Sequence, residues 1–262
     1  MKVLHILLIL LAVAALFFLC FRIGKRIYTH ARNAQIEIAN LYEAMTITPE
    51  HEMDSLPHHV LCIGNSITYM NPSDAIGWKG KWGMAASREE NDYVHLLEKK
   101  LKSYNAQSTV SCINVVSWEK DPTIDVGHLL RDSLKGKDIF VVRIGDNVED
   151  EDIFREGFQQ LIDVCKLYSS KILITGCFWK RIHTESVLIS LARTNHLRYV
   201  PLFWIGEIYG KSTYCQGDEV FYDFNGKPYQ ANHPSFNLHP NDRGMKMIAE
   251  TIFDSICNTF NE

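Results

Sequence analysis

The chain has no block of clustered basic residues. Its 27 lysines and arginines are interspersed with 31 aspartates and glutamates, giving a formal net charge of −4. No segment can track a phosphate backbone, which argues against a nucleic-acid partner. Cys-x-x-Cys is also absent, and the seven cysteines are odd in number and irregular in spacing. Neither a disulfide framework nor a zinc site is expected. Cys62, Cys112 and Cys177 lie inside apolar runs and read as small buried hydrophobes. There is no internal repeat and no low-complexity tract.

Long apolar runs are absent too, with one exception. Residues 3–21 are interrupted only by His5. As a helix they would span about 28 Å, close to the hydrocarbon thickness of a bilayer. No small-x-small cleavage site follows, the flank Leu19-Cys20-Phe21-Arg22 is bulky, and Cys20 lacks the small preceding residue of a lipoprotein site. The expectation is an uncleaved transmembrane anchor over 1–22. Lys2 precedes the span while Arg22, Lys25, Arg26 and Arg32 follow it, and the positive-inside rule read literally would keep the rest of the chain cytoplasmic. Single N-terminal signal-anchors commonly export the large C-terminal part, and a single-pass protein with an extracytoplasmic domain is the expectation adopted.

Residues 23–56 read as a juxtamembrane helix and connector. Ala34, Ile38, Leu41 and Ala44 keep a helical period, and Thr48-Pro49-Glu50 breaks it. A domain then runs over 57–262. Short Val/Ile/Leu-rich strands are expected at 60–63, 109–115, 138–144, 171–177 and 199–202, typical of strands buried on both faces. Helical patterns fall between and after them at 88–101, 123–134, 153–168, 185–196 and 241–258. Alternating β and α units imply a parallel sheet covered by helices on both faces, a three-layer α/β/α domain. The stretch 203–238 shows no period and reads as a functional loop.

Three segments gather the chemistry. Gly64-Asn65-Ser66 ends the first strand, Arg143-Ile144-Gly145-Asp146-Asn147 ends the third, and Leu238-His239-Pro240-Asn241-Asp242-Arg243-Gly244 opens the last helix. In an open α/β sheet, ligands sit at the carboxyl ends of strands. A serine at a strand-to-helix turn is either an N-cap or a nucleophile. His239 is the natural base for Ser66. The Asn147 amide and the Ser66 N–H can each donate to a developing oxyanion, one such donor being worth roughly 3 kcal/mol. His233, before Pro234, is a rival histidine without the helix start that follows His239. Trp78, Trp82, Trp118 and Trp179 fall near strand-end loops, where rings either stack on a sugar or pack the loop.

These blocks are similar to those of SGNH/GDSL-type serine hydrolases. Gly64-Asn65-Ser66-Ile67-Thr68 resembles the first block, with Asn65 where Asp is commoner. Gly145-Asp146-Asn147 resembles the Gly-x-Asn block, and His239-Pro240-Asn241-Asp242-Arg243-Gly244 the terminal one. The resemblance spans about residues 57–258. It implies a flavodoxin-like sandwich and ester hydrolysis without metal or cofactor. In it Ser66 is the nucleophile, His239 the base and Asn147 an oxyanion donor. Two positions depart from the family. No glycine occurs in Asn114-Val115-Val116-Ser117-Trp118-Glu119, where the family supplies a glycine N–H. A main-chain donor from 117–119 can serve instead, or Gly83 can approach from the loop after Ser66. Phe236 stands where the family has Asp three residues before the histidine. The expectation is a Ser–His dyad with a carbonyl holding the imidazole, with Asp218, Asp223 and Glu119 as candidate substitutes for the acid. The expected substrate is a small-molecule or glycan ester, O-acetyl groups included. An O-acyltransferase using the same residues and a non-catalytic binding module on this fold are the rivals.

Overall fold

The computed structural model describes residues 56–217 and 219–260. The expected anchor over 1–22, the connector up to residue 55 and Asp218 lie outside the described residues. Among the described residues no helix is long and apolar enough to cross a membrane.

Five parallel strands form one sheet: β1 (His59–Gly64), β2 (Thr109–Asn114), β3 (Ile139–Arg143), β4 (Ile172–Thr175) and β5 (Arg198–Val200), in the order β2-β1-β3-β4-β5. The α-helices among the described residues are α1 (Tyr93–Lys102), α2 (Val116–Lys120), α3 (Val126–Leu130), α4 (Glu151–Lys166), α5 (Ile182–Thr194), α6 (Trp204–Tyr209) and α7 (Asp242–Phe260). The period of two along each strand sorts the core into two layers. Leu61, Ile63, Phe140 and Val142 pack with Trp118, Phe154, Phe158 and Leu161 on the α3–α5 side. Cys62 points the other way, beside Tyr93 of α1, which packs against α7. The parallel sheet is therefore covered by helices on both faces.

This strand order places the topological switch between β1 and β3, where an open sheet leaves a crevice. Gly64 pairs in register with Asn114 on one side and Arg143 on the other, so three strand ends are level at that crevice.

Helix starts follow the capping residues. Asp92 accepts the His95 N–H at 2.8 Å, and α1 begins at Tyr93 and not at residue 88; residues 89–91 form a single 3-10 turn. Asp150 takes the N–H groups of Asp152 and Ile153, each at 3.0 Å, and opens α4. The helix expected over 123–134 is shorter, limited to α3 behind its cap Asp125. The aperiodic stretch 203–238 holds α6, a hairpin of β6 (Val220–Tyr222) and β7 (Pro228–Gln230), and a 3-10 turn over Pro234–Leu238. Each piece is too short for a period to show. The described cysteines are free; Cys62 and Cys177 are buried, and burial pushes the half-buried Cys112 thiol up to about 12.

Candidate active site

Beyond Gly64 the chain turns sharply. The Asn65 carbonyl accepts N–H groups from Thr68 (2.9 Å) and Tyr69 (3.1 Å), and its side-chain oxygen accepts that of Ile67 (3.2 Å). Asn65 thus supplies the cap of this turn, and the Ser66 hydroxyl is directed elsewhere. Position 64 must be glycine, because a Cβ there would overlap the Thr68 side chain, itself held by the Tyr93 hydroxyl at 2.8 Å.

Ser66 Oγ lies 2.8 Å from His239 Nε2, across 173 residues of sequence. The other ring nitrogen, Nδ1, lies 2.7 Å from the Ser235 carbonyl oxygen. A carbonyl oxygen only accepts, so Nδ1 carries the hydrogen, and the free lone pair of Nε2 receives the Ser66 O–H. The Ser66 N–H has no hydrogen-bond partner among the described residues.

The loop carrying His239 is fixed from several sides. Phe236 is buried against Trp78 and Phe221, with ring centroids 5.9 and 5.3 Å apart, which anchors the turn that presents the Ser235 carbonyl. Trp179 donates its indole N–H to the Leu238 carbonyl at 2.5 Å and sets its ring edge-on to the imidazole at 5.8 Å. Asp242, at the start of α7, accepts from Ser87 N, Ser87 Oγ and Asn91 Nδ2 at 2.6–2.8 Å.

His239 is 6% exposed. Burial lowers its pKa from 6.5 to about 4; the Ser235 carbonyl and the Asp146 charge offset this only in part, and Arg143 adds to the lowering. The imidazole is therefore neutral, the form a base needs, throughout the neutral range. In nitrogen-15 spectra, His239 is expected to remain the neutral Nδ1–H tautomer down to pH 5. A titration midpoint near 6.5 would contradict a buried, neutral ring.

The described candidates to replace the missing acid, Glu119 and Asp223, lie elsewhere. Glu119 faces Asn147. Asp223 accepts from the N–H groups of Asn225 and Lys227 at 2.8 and 2.9 Å in its own hairpin turn. His233 is exposed, and its ring pairs with Ser235 Oγ at 2.7 Å, not with Ser66.

On the β3 side, Gly145 at φ +132° lets the chain turn; a Cβ there would press on Cys177 Sγ at 2.9 Å. Asn147 follows, half-buried. Its N–H reaches Glu119 Oε1 at 3.1 Å, and its Nδ2 reaches Oε2 at 2.8 Å. One Nδ2 hydrogen remains for a substrate.

Gly83 does not serve as the oxyanion donor the sequence reading assigned to it. Its N–H donates to Asp92 Oδ2 at 2.9 Å and is consumed. It is glycine because a Cβ would strike the Ile67 carbonyl. The close approach it permits is between two loops, sealed by Met84 N–H to the Ser66 carbonyl at 2.8 Å. In the block-two segment, the Glu119 N–H is likewise taken, by the Val115 carbonyl at 2.9 Å. Trp78, Trp82 and Trp118 are buried and pack the interior; Trp179, half-buried, is the one of the four beside His239.

Beneath the crevice lies a buried polar network. Arg143 Nη1 donates to Asn65 Oδ1 (2.8 Å) and Nη2 to Asp146 Oδ2 (2.7 Å). Asn65 Nδ2 sits between two carboxylates, Asp146 (3.1 Å) and Glu119 (3.3 Å). Asp146 Oδ1 also accepts the Phe178 N–H at 2.8 Å. This accounts for the asparagine at a position where Asp is commoner in the hydrolases the sequence resembles. A carboxylate at 65 would be a third negative group around one guanidinium, and would replace an N–H donor with an acceptor. Asn65→Asp is expected to cost about 2–3 kcal/mol in urea unfolding at pH 7. The cost should shrink on acidification, because a new buried carboxyl has a folded-state pKa above its unfolded value; its penalty is absent below the unfolded pKa and appears as pH rises through the folded one. An unchanged unfolding midpoint would contradict this electrostatic reading. Arg143 is the signal that could have revealed the network, since a cation inside a strand buried on both faces demands partners.

No model of a known protein family matches the chain, and no curated protein matches it. Solved structures do. A two-domain esterase (CEX) active on acetylated mannans superposes with TM-score 0.51 at 19% identity, covering 78% of this chain and 49% of that one. The fold is that of a solved esterase. LAE5, an alpha/beta hydrolase enzyme from the metagenome of Lake Arreo, Spain, matches at 15% identity over 78% of this chain and 96% of its own, with TM-score 0.49. Axe2, an acetylxylan esterase from Geobacillus stearothermophilus, matches at 14% identity over 76% and 93%, with TM-score 0.47. At these identities the likeness is one of fold alone. The chain spans about half the length of the two-domain esterase.

Proposed function

We propose that this chain is a serine esterase that cleaves its substrate through an acyl-enzyme on Ser66, with His239 as general base. The observation that carries the proposal is the 2.8 Å contact between Ser66 Oγ and His239 Nε2, with Nδ1 tied to a carbonyl that fixes the productive tautomer. A module that only binds needs neither contact.

The steps follow from the donors and acceptors. Ser66 Oγ bonds to the ester carbonyl carbon as its proton passes to Nε2. The Ser235 carbonyl holds the Nδ1–H of the imidazolium that forms. The oxyanion accepts hydrogen bonds from the Ser66 N–H and the free Nδ2 hydrogen of Asn147. On collapse the carbon–oxygen bond to the leaving alcohol breaks, and the alcohol takes the Nε2 proton. A water then attacks the acyl-enzyme with its proton going to Nε2, which returns it to Ser66 as the acid departs. We further propose a main-chain N–H from residues 117–118 as an oxyanion donor; these residues follow Asn114, which pairs in register with Gly64.

An O-acetylated glycan is the substrate class we favour. The expectation of an exposed domain supports it, as does the fold shared with an esterase active on acetylated mannans. We also propose that residues 3–21 anchor the enzyme in a membrane, with the domain on the extracytoplasmic side. The test of the activity is turnover of p-nitrophenyl acetate and acetylated mannan oligosaccharides by the folded domain. Acetate release from both is expected; release from neither contradicts the proposal.

A further inference from the structure

We propose that Glu119 is the positioning residue of the oxyanion site, setting both the backbone and the side-chain amide of Asn147; this rests on Asn147 being an oxyanion donor. Glu119 is fully buried. Its Oε1 accepts the N–H of Gly145 at 2.5 Å and that of Asn147 at 3.1 Å, and its Oε2 accepts Asn147 Nδ2 at 2.8 Å. One carboxylate therefore grips the same asparagine at its main chain and at its side-chain tip, and grips the preceding turn at Gly145.

This grip decides orientation. An ionised carboxylate only accepts, so the amide of Asn147 must present nitrogen, not oxygen, toward Glu119. The second hydrogen on that nitrogen then points away from Glu119 and is free for a substrate. Without the carboxylate, the Asn147 amide could flip and offer its oxygen, which repels an oxyanion. Glu119 comes from α2, the segment where the family's block-two glycine is missing. Burial, and next the Asp146 charge, push the Glu119 carboxyl up from its ordinary range, while the donors on Asn147 and Gly145 draw it back toward the ionised form. The third donor to Oε1 is Asn65 Nδ2 at 3.3 Å, which joins the clamp to the turn that carries Ser66.

The test is a double-mutant cycle on p-nitrophenyl acetate with wild type, Glu119→Gln, Asn147→Ala and the double variant, and with Ser66→Ala as the blank. Asn147→Ala should lower kcat about 10²- to 10³-fold, the loss of one oxyanion donor. Glu119→Gln puts an N–H₂ group where an acceptor stood, and should lower kcat about tenfold or more while KM changes less than about threefold. In the Asn147→Ala background the same change should cost less than about threefold, because there is no amide left to orient. Additive losses, or a Glu119→Gln enzyme with normal kcat, overturn the role of Glu119 while leaving the Ser66 reading intact. Wild type no faster than Ser66→Ala overturns both. If Glu119→Gln fails to fold, nitrogen-15 spectra of the wild type decide. A slowly exchanging, downfield Asn147 side-chain proton, assigned by its loss in Asn147→Ala, supports the clamp. A freely exchanging, averaged pair overturns it.

Discussion

Ser66→Ala and His239→Ala should each lower esterase turnover about 10⁴- to 10⁶-fold, and the double variant should be no worse than either single one. Nucleophile and base act as a unit, so removing one leaves the other nothing to do, and losses near 10⁶ are the full extent of such pairs. The lower bound comes from what holds His239. In a triad, losing the orienting acid costs about 10⁴-fold, largely through the wrong tautomer. Here the Ser235 carbonyl at 2.7 Å preserves the tautomer. It brings no full negative charge to stabilise the imidazolium, and a ring with a pKa of about 4 is a weak base at neutral pH. The wild type should accordingly be slow, with a smaller gap to its inactive variants than a triad enzyme shows. A double variant losing the product of the two single losses would mean that Ser66 and His239 act independently.

Arg143→Met should destabilise the domain by about 3–5 kcal/mol, enough to remove much of the stability of an ordinary domain. The guanidinium is fully buried at the end of β3 and is tied to Asp146 and Asn65. Methionine fills similar space but leaves the Asp146 carboxylate without its cation, with Glu119 also buried nearby. The penalty is that of an uncompensated charge and not of lost packing. Arg143→Met combined with Asp146→Asn removes both charges and should recover at least half of the loss in urea unfolding. If the double variant is no more stable than the single one, the network is not held together by charge. Arg143→Lys should fall between, because an ammonium cannot span both partners as a planar fork does.

What the sequence reveals here tracks how local each signal is. β1, β3 and β4 are legible as apolar runs because a strand buried on both faces needs no polar residue until it ends. Ser66 and Asn147 stand out as candidates for the same reason, as polar residues just past the ends of such strands, whereas His239 stands out at the opening of the last helix. The start of α1 is harder to place, because Arg88 and Asp92 both precede plausible first turns and only the His95 N–H shows which residue caps. α2 is not legible, since five residues carry no period. The rest of the network fails to show for another reason: Arg143 and Asp146 are three residues apart, but Asn65 is 54 residues from Glu119 and 78 from Arg143, and nothing along the chain encodes those two pairings. Gly83 illustrates the limit of a glycine as a clue. It does mark a close approach, but the approaching group is the Ile67 carbonyl, not a ligand. Phe236 is the reverse case, a departure from the family that the structure turns into an anchor for the Ser235 carbonyl.

The most direct test of the Ser66 nucleophile is labelling of the folded domain with a fluorophosphonate probe, read by intact mass and by peptide mapping. A single adduct on the peptide containing Ser66, lost in Ser66→Ala and strongly slowed in His239→Ala, is the expected result. No adduct under conditions that fully label a known serine hydrolase, or an adduct that persists in Ser66→Ala, would contradict it.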